Sequence, residues 1–237
     1  MQNYKFSNIY ARLDKSYDIM HTYCKLVEDC YKNVLGLSKY QVNPHDIIFD
    51  NMAYPVIIMS KKEIIGGAVL YIRAIGDNKR LPLEKSANIN IEDIVTNIDL
   101  KSSKNICEIS KIAVHGKYRD RRITQEILGL ILAKAVKEQC DYMFAITPKK
   151  RSRNFRIVYN KLGINYDVIN KAIPKIPLYE DLDIDLTYAN FKTFDLSKLL
   201  SSCHFNKLIA EMYNIAGNSY SSDSLTRTLN SKIWSGL

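Results

Sequence analysis

The 237-residue sequence predicts an α/β fold in which helices flank a mixed, mainly antiparallel sheet. Residues 54–60 and 63–73 are apolar runs separated by a short polar turn, which is typical of an antiparallel hairpin. Residues 106–163 then show strand, helix, strand and helix patterns in succession. A strand–helix–strand crossover joins parallel strands in a right-handed sense. The sheet is therefore expected to contain both strand directions.

The elements before this unit follow from apolar periodicity and turn residues. Apolar side chains three and four residues apart predict a helix over residues 16–36, and Gly36 ends it. Within the hairpin, Gly66-Gly67 indicates a bulge or a close approach of the backbone to a neighbour. Residues 74–105 are polar and irregular, and a connection of this length is often functional.

The end of the chain is predicted in the same way. Two strand-like runs lie at Ile176–Leu178 and Leu186–Phe194, and the spacing of leucines and other apolar residues predicts a helix over 195–215. We therefore divide the chain into one α/β domain over residues 1–194 and a C-terminal helix with a polar tail over residues 195–237.

Composition narrows the choice of partners and metals. The formal net charge of +9 favours acidic partners such as an acidic protein, an anionic membrane or nucleic acid. No helix-turn-helix, zinc-finger or RNA-binding signature accompanies this charge, so nucleic acid is not expected. The five cysteines form no C-x-x-C pair and the four histidines are scattered, so we predict reduced thiols and no metal site. The absence of a long apolar run predicts a cytoplasmic protein.

The segment from residue 106 to residue 163 contains the chemistry-bearing motifs. A strand over 106–114 leads into a basic loop over 115–122, a helix over 123–139 and a second strand over 141–147. The loop places arginines at the N-terminus of the helix, where free N–H groups and the helix dipole favour an anion. We therefore predict a phosphate-bearing ligand at this loop.

The order of these elements resembles the GNAT acyltransferase superfamily over about residues 45–165. The likeness depends on the element order, on Tyr118-Arg119 at the loop, and on Tyr159 four residues before Gly163. It implies that the central parallel strands splay and that an acyl thioester lies between them. The loop would then hold the phosphate of the donor's phosphopantetheine arm. The donor-binding residues that the resemblance implies are Ile112, Ala113, Val114, Arg119, Arg121, Arg122, Ile123 and Thr124.

The loop departs from the pattern of the superfamily at two positions. Arg122 and Thr124 stand where glycines usually allow backbone amides to approach a pyrophosphate. A carrier-protein donor has a single phosphate on its phosphopantetheine arm and is strongly acidic, so it suits this basic loop better than coenzyme A does. The donor is thus expected to be acyl carrier protein, with acyl-coenzyme A as the alternative and no permanently bound cofactor.

A narrower resemblance concerns the first central strand. Glu108-Ile109-Ser110-Lys111 is similar to the Glu-x-Ser-Arg strand of acyl-homoserine-lactone synthases and N-acyl amino acid synthases. The segments Asp46–Asp50 and Arg80–Glu84 are also similar to that branch. This likeness implies a long acyl chain and a small amine, such as an amino acid, as acceptor. Lactone synthesis ranks second, because the N-terminal Arg/Phe/Trp pattern of those synthases is not apparent.

Catalytic roles are assigned from strand geometry and from the resemblance. Side chains two residues apart in a strand share a face, so Glu108 and Ser110 point together. Amine acylation needs a base, and Glu108 is the candidate. Tyr159 matches the tyrosine that the superfamily places near the leaving sulfur, and backbone N–H groups of the splayed strand would polarise the thioester carbonyl.

Each of these assignments has a structural alternative. Glu108 could be a carboxylate paired with Lys111 or with a loop arginine, and Tyr159 could be a core residue. The arginines of the loop could form a solvated turn, and Lys149–Arg153 a charged loop rather than half of a carrier-protein docking surface. Beside an N-acyltransferase, two other functions therefore stay open: a basic binding module, and a GNAT fold that binds an acyl group without catalysis.

Overall fold

The structure is a computed structural model that describes residues 9–13, 15–95, 98–100, 102–119, 122–169, 176–192 and 194–203. It contains a seven-stranded sheet in the order β1-β2-β3-β4-β5-β7-β6. The strands are β1 (Ile9–Arg12), β2 (Ala53–Ser60), β3 (Glu63–Ala74), β4 (Asn105–Val114), β5 (Cys140–Pro148), β6 (Asn165–Val168) and β7 (Ile184–Asn190). The helices are α1 (Tyr17–Cys30), α2 (His45–Ile48), α3 (Pro82–Ala87), α4 (Ile91–Ile94), α5 (Ile123–Lys137), α6 (Lys149–Lys161) and α7 (Leu196–Ser202).

The predicted centre of the sheet is confirmed. The β2 and β3 strands form the expected hairpin, and β4 runs antiparallel to β3 and parallel to β5. The parallel ladder extends only as far as the pair of Glu108 with Phe144. Both fully described strands continue beyond this pair, to Val114 and Pro148, without further pairing to each other. The two central strands therefore splay toward their C-terminal ends, as predicted.

Helices cover both faces of the sheet and create two cores. Helix α1 packs against β3 and β4 on one face, which also carries α3 and α4; we call this the α1 face. Helix α5 packs against β2 to β5 on the other face, together with α6 and α7; we call this the α5 face. Because successive strand side chains alternate between faces, Glu108 points to the α1 face and its neighbours Cys107 and Ile109 to the α5 face.

Gly66 and Gly67 allow both helices to lie close to the sheet. A Cβ on Gly66 would lie 3.0 Å from Ile123 Cγ2 of α5, and one on Gly67 would lie 2.8 Å from Tyr23 Cε2 of α1. The register between β3 and β4 also shifts just after Gly67. The glycine pair is thus both a close approach and the border of a bulge, as the sequence indicated.

The N-terminal helix is confirmed with a change at its end. Helix α1 stops at Cys30 and continues as a π-helical turn over Tyr31–Leu35, and Gly36 follows in the left-handed region with φ of 77°. The long polar connection contains α3 and α4, which were not predicted. They are too short to give a clear apolar periodicity, and both buried apolar side chains and polar contacts hold them in place.

Two assignments near the end of the chain were wrong. The run Ile176–Leu178 is not a strand, because Pro177 begins a 3₁₀ turn over Pro177–Tyr179 and has no N–H to donate to a ladder. Strand β6 was missed, since it is a short edge strand that pairs only with β7. The helix predicted over 195–215 is observed only as α7, which ends at Ser202 because Cys203 is extended, and residues 204–215 lie outside the described residues. The division of the chain at residue 195 stays a prediction, although α7 packs on the α5 face.

Candidate active site

The splayed strands open a cleft between β4 and β5, in which side chains of both strands are partly exposed. Ser110, Lys111 and Ile112 of β4 are half-buried, while the residues on either side of them are buried. On β5, Ala145 and Ile146 are half-buried directly after Phe144, the last residue paired with β4. Exposure thus begins on both strands where their ladder ends, and this gap is the candidate active site.

Glu108 lies at the base of this cleft. It is only 4% exposed, and it stands directly across from Tyr71 on β3 and Phe144 on β5. The backbone N–H of Leu83, on α3, donates a hydrogen bond to Oε2 of Glu108 at 2.7 Å. Burial raises the pKa of Glu108 to about 8, while the bond from Leu83 and the charge of Lys111 oppose the increase. A carboxyl group with such a pKa can exchange protons near neutral pH.

Lys111 points into the same cleft because of a β-bulge. Between two cross-strand pairs, β4 has Lys111 and Ile112 where β3 has only Ala68, and Lys111 takes a positive φ of 55°. Its Nζ donates to the Tyr71 hydroxyl at 3.0 Å and to Ser110 Oγ at 3.5 Å. Burial lowers the pKa of Lys111, and Glu108 opposes this change. Simple strand alternation would have placed Lys111 on the opposite face from Ser110, so the sequence did not reveal this cluster.

Tyrosines surround Glu108 on the α1 face, and sequence reasoning missed them. Tyr31 and Tyr40 stack with ring centroids 4.2 Å apart, and both pack with Tyr179 on the core of this face. Burial raises the pKa of Tyr179 to about 12, and the charge of Glu108 adds to the increase. Tyr31 owes its position to the π-helical turn, a feature common at functional sites. With sixteen tyrosines in the chain, no local signal distinguished these from core residues.

The basic loop is built differently from the expectation. Arg119 donates from Nε to the carbonyl of Val114 at 3.2 Å, and its Nη2 lies 3.8 Å from Cys30 Sγ, so it ties the loop to β4 and α1. Arg122 is exposed and precedes α5 with a φ of 58°, the left-handed conformation that glycine usually supplies. Arg121 lies outside the described residues.

The remaining donor-binding candidates surround the start of α5. Ile123 is fully buried and packs on Gly66, so its side chain is a core residue, while Thr124 is half-buried. Ala113 and Val114 are buried, and only Ile112 borders the cleft with part of its side chain exposed. For these residues, the backbone is the part that could contact a ligand.

Tyr159 is not brought together with Glu108. It is buried on the α5 face, where its ring stacks on Tyr166 with centroids 4.9 Å apart, and burial raises its pKa. Glu108, Ser110 and Lys111 instead share the α1 side of the cleft. The role of Tyr159 at the leaving sulfur therefore stays a prediction.

Comparisons with known proteins were made at the levels of sequence and of structure. No protein-family model matches the sequence, and no curated protein sequence does. Among solved structures, FeeM, an N-acyl amino acid synthase from uncultured soil microbes, is 12% identical with a TM-score of 0.56 over 84% of this chain and 97% of FeeM. The acyl-homoserine-lactone synthase LasI is 10% identical with a TM-score of 0.57, over 82% of this chain and 96% of LasI.

A further structure, the coenzyme A-dependent acyl-homoserine-lactone synthase BjaI with SAM and isopentyl-CoA, is 10% identical with a TM-score of 0.55. It matches 93% of this chain and 98% of its own. The chain has the GNAT fold. This confirms the fold predicted from the order of elements and from the motifs around Glu108, Tyr118 and Tyr159.

In this GNAT fold, basic side chains lie near the mouth of the cleft. The run Lys149–Arg153 is not a loop but the start of α6, which carries no acidic residue. Because β4 and β5 are parallel, α6 begins at the same edge of the sheet as the loop with Arg119 and Arg122. Lys149 pairs with Asp183 at 2.8 Å, and Lys150 and Arg153 are exposed.

Metal-binding groups, disulfides and membrane-spanning helices are all absent from the described part of the GNAT fold. No group of histidine, cysteine, aspartate or glutamate residues is arranged to hold a metal ion there. The five cysteines are all buried and free of disulfides. None of the described helices has both the length and the apolar character needed to cross a bilayer.

Proposed function

We propose that this protein is an acyltransferase that moves an acyl group from a phosphopantetheine thioester to an amine. The observation that carries the proposal is the position of Glu108, a buried carboxyl group with a pKa near 8, at the base of a cleft between splayed parallel strands. An effective general base has a pKa near the working pH. The likeness to FeeM, LasI and BjaI in fold supports the same class of reaction.

The chemistry assigns one task to each part of the cleft. Glu108 takes a proton from the acceptor's ammonium group, directly or through water, and the free amine attacks the thioester carbonyl. Backbone N–H groups of β4 beyond Glu108, at Ile112 to Val114, stabilise the negative charge that develops on the carbonyl oxygen. A C–N bond forms and the C–S bond breaks. The proton that the attacking nitrogen releases on forming the amide balances the one that the departing sulfur takes up to leave as a thiol. Tyr159 is the proposed donor of a hydrogen bond to that sulfur.

An acyl carrier protein is the proposed donor. The exposed Arg122, with Lys150 and Arg153 on α6, presents positive charge at the edge where the cleft opens. Such a surface would steer an acidic carrier protein and orient its phosphopantetheine arm. Acyl-coenzyme A is the alternative donor, because BjaI is described with isopentyl-CoA.

The proposed acceptor is an amino acid, and the proposed acyl chain is long. These details rest on the similarity of Glu108–Lys111 to N-acyl amino acid synthases and on the likeness of fold to FeeM. Synthesis of an acyl-homoserine lactone is the second candidate, and the likeness to LasI and BjaI favours it. The two reactions differ in acceptor, since BjaI is described with SAM whereas FeeM is named for amino acids.

A thiol-release assay tests this proposal. Purified protein would be given long-chain acyl carrier protein or acyl-coenzyme A, with each amino acid or SAM as acceptor, and products would be identified by mass spectrometry. An N-acyl amino acid supports the main proposal, and an acyl-homoserine lactone supports the second. If the protein binds an acyl donor but releases no thiol with any acceptor, it would instead be a module that binds acyl groups without catalysis. Salt-dependent binding of arbitrary DNA or anionic vesicles without turnover would favour a basic binding module.

A further inference from the structure

Arg73 forms an ion-pair network with two glutamates near Glu108. It lies on β3, two residues from Tyr71, and is 4% exposed. Its guanidinium donates from Nε and Nη2 to the two carboxylate oxygens of Glu84, at 3.1 and 2.8 Å, and from Nη1 to Glu92 at 2.8 Å. Glu84 is 1% exposed, so this two-pronged pair is withdrawn from water.

Glu84 connects this network to the segment that touches Glu108. Its carboxylate also accepts the backbone N–H of Leu81 at 2.8 Å and that of Ile91 at 3.0 Å, so it fixes the first residue before α3 and the first residue of α4. Leu83 follows within the same helical turn as Leu81 and donates its N–H to Glu108. Because α3 is short, its own hydrogen bonds provide little rigidity. Leu81 and Leu83 are buried in the core of the α1 face, and the bonds of Glu84 add directional constraints to that packing.

Stability alone is a weak explanation for this network. The desolvation of a buried ion pair often cancels its Coulombic attraction, and well-packed apolar residues commonly serve as well. Apolar residues, however, could not fix two backbone N–H groups and aim a third at a carboxylate. We propose that Arg73 and Glu84 are positioning residues that hold the carboxyl group of Glu108 in its working orientation through the N–H of Leu83, an inference that rests on the proposed acyltransferase function.

The expected signature is a change in the titration of Glu108. The bond from Leu83 favours the ionised carboxylate, so its loss raises the pKa of Glu108 further above its ordinary value. The other charged or titratable groups that affect the pKa of Glu108 are unchanged in these variants, except that Glu84→Gln removes the charge of Glu84. They are Glu84 and Lys85 of α3, Lys111 of β4, Tyr71 of β3, Tyr31 of the π-helical turn, and Tyr179 of the 3₁₀ turn.

The test uses Arg73→Met, Arg73→Lys and Glu84→Gln in the full chain, with Lys134→Met as control because it removes the cation of an ion pair on α5. We expect kcat for thiol release to fall about ten- to one-hundred-fold at neutral pH, with little change in the donor KM. In Arg73→Met the acidic limb of the pH–rate profile should move up by about one unit, so activity recovers at alkaline pH. In Glu84→Gln the shift should be smaller, because the charge of Glu84 raises the pKa of Glu108 in the wild type and is lost in this variant. Arg73→Lys keeps the positive charge but cannot form the two parallel hydrogen bonds of the guanidinium to Glu84, so it should show an intermediate shift.

A direct measurement separates this inference from the proposed function. The carboxyl ¹³C resonance of Glu108, assigned by its loss in Glu108→Gln, reports the titration midpoint without any turnover. A higher midpoint in folded Arg73→Met supports the positioning role even if wild-type protein releases no thiol, in which case only the acyltransferase proposal fails. An unchanged midpoint in the folded variants overturns the positioning role. Failure of all the network variants to fold would make the network purely structural and would overturn it equally.

Discussion

Lys111 donates a hydrogen bond from Nζ to the hydroxyl oxygen of Tyr71 at 3.0 Å, and Nζ lies 4.9 Å from the centre of the Tyr71 ring. Tyr71 is the cross-strand partner of Glu108, so the bulge at Lys111 places a cation beside the proposed base. A lysine in this conformation costs backbone energy that an ordinary strand residue would not. The hydrogen bond to Tyr71 holds the ammonium group of Lys111 near Glu108. Its positive charge there favours the ionised form of Glu108.

The first prediction concerns that role. Lys111→Met should raise the pKa of Glu108 above about 8, because the charge of Lys111 lowers it in the wild type. The acidic limb of the pH–rate profile for thiol release should therefore move to higher pH, whereas Lys111→Arg should keep it nearly in place. Lys25→Met removes an exposed lysine on α1 and serves as control. An identical midpoint in wild type and Lys111→Met would exclude the electrostatic role.

The second prediction is that Glu108 acts in the chemical step. Glu108→Gln should lower kcat by about 10²–10⁴ while affinity for the acyl donor changes little, because the amide keeps the shape but cannot accept the proton. Glu138→Gln, at the half-buried residue that directly follows α5, is the control. Single-turnover assays with acyl carrier protein and acyl-coenzyme A measure both quantities. Full turnover in Glu108→Gln would assign Glu108 a structural role and require another base.

The third prediction uses Glu108 as a source of pH-dependent stability. Its pKa is raised in the folded state from the ordinary value of 4.5 to about 8, so the folded state binds this proton more tightly than the unfolded state. The resulting stabilisation is complete below about pH 4.5 and is lost as the pH rises through about 8. Glu108→Gln does not ionise, so its Tm relative to wild type should increase between pH 5 and pH 9. Thermal unfolding at several pH values measures this, and a constant difference in Tm would contradict it.

The fourth prediction separates the side chain of Arg122 from its backbone. Arg122→Ala and Arg122→Gly both remove the guanidinium and should weaken donor binding equally, by about 1–3 kcal/mol if it contacts the phosphate. Only glycine suits the φ of 58°, so the glycine variant should be about 1 kcal/mol more stable than the alanine variant. Titration calorimetry and urea unfolding measure the two effects. Unchanged donor affinity in both variants would leave Arg122 as part of a solvated turn.

The fifth prediction concerns the packing of α7 on α5. A Cβ at Gly129 would collide with Sγ of Cys203, which directly follows α7. Gly129→Ala should therefore lower the free energy of unfolding by about 1–3 kcal/mol. Cys203→Ala removes the obstructing sulfur and should recover most of that loss in the double variant, because the two positions are in contact. Additive effects of the two substitutions would show that α7 does not pack in this way in solution.

The sequence predicted the central architecture because its signals are local. Alternating and apolar runs marked β2 to β5, the spacing of apolar residues marked α1 and α5, and Gly36 marked the end of the first helix. The splay of β4 and β5 followed from a resemblance of element order, and the choice of Glu108 as candidate base followed from a short motif and stays a prediction. The two errors arose where the local signal was weak. The apolar run at Ile176–Leu178 was predicted as a strand, but Pro177 begins a 3₁₀ turn there. Strand β6 was missed because it is short and forms by pairing with β7.

By itself, the sequence determined the order of the central elements from β2 to α5, the basic character of the loop before α5, and the shared face of Glu108 and Ser110. Only the tertiary structure decided which other side chains meet Glu108. The bulge that turns Lys111 toward Tyr71 requires the register of β4 against β3. The link from Arg73 through Glu84 to Leu83 joins a strand to a segment that reads as polar and irregular in the sequence. Such contacts arise from residues distant in the chain, so no local pattern encodes them.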